Sequence, residues 1–123
     1  MDTKWKNANE EFDRWSKEIK RGVASLAILT VIKKKESYGY EIVKNLNDMA
    51  GTLLNLEQGT VYPILKRLET RKLLKSTWNY EEPQKPKKYY NITEEGIIAL
   101  DKMIKTWSVL SQEMDNIIGE SKK

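Results

Sequence analysis

The chain has 123 residues and a formal net charge of +4, with neither cysteine nor histidine. That excludes disulfides, thiolate or imidazole metal sites and every nucleophile–base pair built on those groups, and with them most hydrolytic and redox chemistry. A domain this small buries its surface incompletely unless something covers it, so a partner subunit is an expectation from the outset.

Trp5, Ala8, Phe12, Trp15, Ile19 and Val23 step by three or four residues, which predicts an amphipathic helix over residues 1–21, ending before Gly22. An aromatic stripe this heavy has to cover either the chain's own body or a second subunit. From Gly22 to Lys34 the apolar residues almost encircle a second helix, the buried centre of the fold, which ends in Lys33, Lys34 and Lys35 where cations suit the helix dipole. Ser37 is placed to cap a helix over about Tyr38–Ala50, and Gly51 stops it.

A further helix is expected over Gln58–Lys72, with Val61, Ile64, Leu65 and Leu68 inward and Tyr62, Lys66, Arg67 and Thr70 outward. Alternation of Leu74, Ser76, Trp78 and Tyr80 predicts a strand, residues 81–87 with Pro83 and Pro86 a turn, and Lys88–Ile92 the returning strand. Thr93 can cap the last helix, with Glu94 and Glu95 in its first turn. Ile97, Leu100, Ile104, Trp107, Met114 and Ile118 then form a heptad seam interrupted at Ser111 and widened by Met103, Leu110 and Ile117. Such a helix is roughly 39 Å long, more than the small domain beneath it can cover, so its far part needs a partner helix.

Charge is distributed unevenly. Between Tyr62 and Lys88 eight cations face three anions, a local excess of five in about a fifth of the chain. That is the footprint of a nucleic-acid surface or of a solvated lysine-rich loop. No apolar run approaches the roughly 20 residues of a membrane span, and the first residues lack the apolar core of a signal peptide, so a cytoplasmic protein without a membrane partner is expected. No Gly-x-Ser-x-Gly, phosphate-cradling glycine loop or metal-ligand spacing occurs, which argues against an enzyme, a cofactor or a metal.

The fold class expected is mainly α with a small two-stranded β-wing: an N-terminal helix (1–21), a winged helix-turn-helix (22–92), and a long C-terminal dimerisation helix with a short tail (93–123). In that arrangement the third helix enters the major groove of duplex DNA and the hairpin reaches the adjacent backbone or minor groove. A winged helix used instead for protein–protein assembly would show an acidic or apolar third helix, and here that face is basic.

Three segments, in this order, resemble the PadR-type transcriptional regulators: Ser37-Tyr38-Gly39-Tyr40-Glu41-Ile42, Gly59-Thr60-Val61-Tyr62-Pro63-Ile64-Leu65-Lys66-Arg67-Leu68-Glu69, and Lys87-Lys88-Tyr89-Tyr90-Asn91-Ile92-Thr93-Glu94-Glu95-Gly96. The similarity spans about residues 20–118. It implies a homodimeric repressor on a two-fold-related operator, of the short form that dimerises through the single last helix and a segment ahead of the first core helix. The residues expected at DNA are Tyr38, Gln58, Thr60, Tyr62, Lys66, Arg67, Lys85, Lys87, Lys88 and Tyr90. Gly39 is expected to allow close helix approach, and Arg67 either to reach DNA or to pair with the protein body. One of Tyr89 and Tyr90 must turn inward.

The expected dimer interface comprises Trp5, Phe12, Trp15, Leu100, Met103, Ile104, Trp107, Leu110, Met114 and Ile118. Some short-form members sense flat hydrophobic or cationic drugs with a tryptophan of the last helix as a stacking plate. Trp107 sits at that place and is either such a plate or seam packing. Trp15 and Phe12 are its candidate companions around a small aromatic ligand.

Overall fold

The structure, a computed structural model, describes residues 3–51 and 53–119. It contains α1 (Lys6–Lys34), β1 (Ser37–Tyr38), α2 (Gly39–Met49), α3 (Gln58–Thr70), β2 (Leu74–Asn79), β3 (Lys87–Ile92) and α4 (Glu94–Gly119). The end of the expected tail, residues 120–123, lies outside the described residues.

The two helices expected on either side of Gly22 are one helix of 29 residues. A glycine inside a helix costs only about 1 kcal/mol. That is too little to break a helix whose later half delivers Ala24, Ile28, Leu29, Val31 and Ile32 to the core. Ser37 does not cap α2 as expected: it is fully buried, and its hydroxyl donates to the Lys35 carbonyl at 2.7 Å. With Tyr38 it forms a short strand, so the wing hairpin β2–β3 gains a third member in the order β1-β3-β2, antiparallel throughout.

α3 stops two residues before its expected end. The Leu73 amide donates to the Leu68 carbonyl and the Lys72 amide to the Glu69 carbonyl, both at 2.9 Å, the paired bonds of a Schellman turn. Lys72 takes the left-handed conformation (φ 65°) that glycine usually supplies there. The turn aims the chain straight into β2.

The core gathers Ile42, Val43 and Leu46 of α2, Val61, Ile64, Leu65 and Leu68 of α3, and Leu74 of β2 around the second half of α1. From α4 only Gly96 and Leu100 are buried. Leu100, expected at the subunit seam, is fully enclosed in the chain's own core and offers nothing to a partner. Met103 is partly buried against the same core. Thr93 caps α4 as expected, its hydroxyl accepting from the Gly96 amide at 3.0 Å. Beyond that point α4 leaves the body, with Ile104, Trp107, Leu110, Met114, Ile117 and Ile118 exposed.

Candidate nucleic-acid interface

Four apolar residues decide which way α3 faces. With Val61, Ile64, Leu65 and Leu68 inward, the 100° step of the helix places Gly59, Pro63, Lys66 and Thr70 on the opposite side. Tyr62 stands on one flank, Thr60 and Arg67 on the other. The Lys66 side chain is exposed and pairs with no carboxylate among the described residues. Its cationic head is available to a phosphate or a guanine edge.

The Tyr62 flank is built against α2 and the wing. A Cβ at Gly39 would lie 2.7 Å from Tyr62 Cε1 and 3.0 Å from its hydroxyl oxygen. Glycine at the start of α2 is what lets the Tyr62 ring approach the backbone so closely. The expectation that Gly39 serves close approach rather than DNA contact has its physical reason here. Tyr62, Tyr38, Trp78, Pro86, Lys87 and Tyr90 surround a depression of about 280 Å³ between α3 and the wing.

One residue that periodicity did not single out fixes the wing. The Glu69 carboxylate, on the last turn of α3, accepts from the Ser76 hydroxyl of β2 and from Lys88 Nζ of β3, the latter at 2.9 Å. These two bonds, the Ser76 one foremost, hold the carboxyl below its usual range against a smaller opposing effect of burial. The bond to Glu69 raises Lys88 in turn. A depressed carboxyl stabilises the fold at pH values above its unfolded pKa, and that contribution is lost as pH falls through the folded value. The clamp is therefore intact at neutral pH and released only in acid, as pH falls below the ordinary carboxylate range through the depressed value of Glu69. With both side chains about a third exposed (31% and 34%), its energetic weight is modest. Glu69→Gln should lower the amide protection factors of β2 and β3 at pH 7 and abolish their further fall on acidification; an unchanged acid profile of protection in the variant would dissociate Glu69 from the wing.

The expected DNA residues separate into two groups. Gln58, Thr60, Tyr62, Lys66, Arg67 and Lys85 are exposed, whereas Tyr38, Lys87, Lys88 and Tyr90 are half-buried. Tyr90 turns inward against the core, and Tyr89 lies on the other sheet face, edge-on to Tyr38 at 5.3 Å. The tyrosine directed away from the core is thus Tyr89, not Tyr90, because Tyr90 stands opposite Ser76 on the α3 side of the sheet. Lys88 is held by Glu69, and Lys87 Nζ sits 4.7 Å from the Tyr38 ring centroid. Arg67, the residue with two expected fates, donates to the Ser25 hydroxyl of α1 at 2.8 Å.

Phe12, Trp15, Ile19 and Val23 of α1 and Trp107 of α4 line a second groove, of about 370 Å³, together with Leu53 and Leu54. The three residues expected around an aromatic ligand are thereby brought together. Trp5, Ile104, Leu110, Met114 and Ile118, expected at the dimer seam, are all more than two-fifths exposed in the single chain. No group of three or more acidic, histidine or cysteine side chains able to hold a metal occurs among the described residues, and no described helix is long and apolar enough to cross a membrane.

The sequence model of the transcriptional regulator PadR-like family matches residues 28–102. A PadR family transcriptional regulator of Eggerthella lenta has a similar crystal structure, with a TM-score of 0.76 and 30% identity over 91% of this chain and 96% of that one. A PadR-like transcriptional regulator of Bacillus cereus superposes with a TM-score of 0.72 at 31% identity, covering 82% and 96%. An uncharacterised protein of Lysinibacillus sphaericus is 28% identical over 98 residues, 80% of this chain and 90% of its own length.

Proposed function

The chain belongs to the PadR-like family of DNA-binding transcriptional regulators, which are not enzymes, and on that premise we propose that it is a homodimeric repressor reading a two-fold-related operator. The observation that carries this reading is the outward face of α3, where Lys66 stands unpaired between Tyr62 and Arg67 beside a wing clamped by Glu69. A rigid helix with long cationic and hydroxylic side chains suits major-groove reading, and Lys85 and Lys87 of the wing suit the flanking phosphates. Pairing of two chains through α1 and α4 would present two copies of α3 together. Its support is the band of exposed apolar side chains on both helices. A module for protein–protein assembly alone would not need the basic face.

Lys66→Ala should weaken binding to duplexes selected from a random pool by roughly 1–3 kcal/mol per half-site, leaving dimerisation untouched. Wild-type affinity in the variant would remove α3 as the reading element. Relief of repression by a flat aromatic or hydrophobic molecule is the second part of the proposal, supported by the groove between Trp15, Phe12 and Trp107. Titrating planar dyes against tryptophan fluorescence tests it. Quenching should be lost in Trp107→Ala, and identical titrations of the two proteins would take Trp107 out of any sensing role.

A further inference from the structure

The flank of α3 away from the wing is also basic. α1 packs against α3, with Ser25 receiving the Arg67 bond next to the buried Ala24 and Ile28. One and two turns earlier on the same face of the helix come Arg21, Lys20 and Lys17. These three side chains ring a cleft of about 260 Å³ at the start of α3 whose other walls are Asn55 and Thr60 and the apolar Leu54, Leu56 and Ile64. Arg14 is neutralised by Glu18 at 3.6 Å and Lys6 faces Glu10 at 3.9 Å, but Lys17, Lys20 and Arg21 have no carboxylate partner among the described residues. The carboxylate nearest in the chain to the cleft's α3 side, Glu57, accepts from the Asn55 amide at 3.5 Å. The apolar stripe of the same helix segment lines the adjoining groove that faces Trp107, with Lys20 and Leu54 at the border shared by the two.

We propose that this cleft is a phosphate-binding ledge, so that a DNA duplex on α3 is gripped on both flanks, by the wing on one side and by Lys17, Lys20 and Arg21 on the other. The inference rests on the DNA-binding reading of α3 and adds to it a segment that lies ahead of the family-matched residues 28–102. Charge complementarity selects the occupant. Three unpaired cations aligned along a helix beside the reading element match the regular phosphates of a duplex, and each would release condensed counterions on binding. The ledge carries no base-reading geometry, so it should add affinity without sequence preference.

The test is the salt dependence of binding to a long mixed-sequence duplex, comparing the wild type with Lys17→Gln/Lys20→Gln/Arg21→Gln. Thermal melts and sedimentation of each protein confirm that fold and assembly are retained. The logarithmic salt slope should become shallower by about 0.9 for each phosphate that the variant no longer neutralises, with weaker binding at low salt. Lys102→Gln/Lys105→Gln, which removes charge from α4 instead, should leave the slope near that of the wild type. A wild-type slope in the triple variant, or an equal change per charge in the α4 variant, would overturn the ledge. Absence of salt-sensitive binding by the wild type itself would overturn the DNA reading on which it rests.

Discussion

Gly96→Ala should lower stability by about 3 kcal/mol, an overpacking cost at the upper end of what one methyl group brings. A Cβ at this position would overlap the Leu73 carbonyl oxygen and lie 2.7 Å from Ile92 Cγ1. The carbonyl cannot swing aside, because it accepts from the Thr93 amide at 3.0 Å and the Thr93 hydroxyl at 3.1 Å. The Thr93 hydroxyl shares its single proton between that carbonyl and the Lys72 carbonyl at 2.8 Å, and together with the amide bond this fastens the start of α4 to the turn that ends α3. The methyl group would therefore lift the whole helix off the winged domain. At fixed protein concentration the midpoint should fall by roughly 10 °C. Gly22→Ala makes the comparison sharp: its Cβ would meet nothing within 4 Å, so replacing glycine inside α1 should raise stability by about 0.5–1 kcal/mol. Equal midpoints for the two variants would show that the close approach at Gly96 is not rigid.

What the sequence displayed plainly was periodicity. Val61, Ile64, Leu65 and Leu68 oriented α3, and Thr93 with Glu94 and Glu95 marked the start of α4, because helix faces and caps are set by neighbours three or four residues apart. The joints between elements were hidden. Lys72 ends α3 in a conformation that normally advertises itself through glycine, and Gly22, which does advertise a break, lies inside a helix held by its partners. Glu69 finds its partners seven and nineteen residues away. Only the register of Ser76 opposite Tyr90 brings the α3 side of both wing strands to it, and the same register turns Tyr90 inward. Lys17, Lys20 and Arg21 resemble any solvated helix face until the packing of α1 on α3 places them beside Thr60.

If the chain is the proposed homodimer, Leu110→Asp/Ile117→Asp should convert it to a monomer and weaken binding to the proposed two-fold operator by about 10²- to 10⁴-fold, the loss expected when two linked binding events become independent. Both side chains are at least half exposed in the single chain, 50% and 67%, so the winged domain does not depend on them. Nothing in α4 beyond Leu100 is fully buried. Helices in proteins are stabilised mainly by packing of their amphipathic face rather than by propensity, so the part of α4 beyond Leu100 draws most of its stability from whatever covers its apolar face. Covering six such side chains per chain at about 1 kcal/mol for each half-exposed group gives an amount comparable with the cost of association. A modest number of charges introduced into that face should thus dissolve the proposed dimer rather than merely loosen it. Sedimentation equilibrium should give the mass of one chain, and circular dichroism should show loss of helix limited to the end of α4. Retention of the wild-type mass would move the subunit contact away from Leu110 and Ile117, and retention of operator affinity in a proven monomer would show that one copy of α3 suffices.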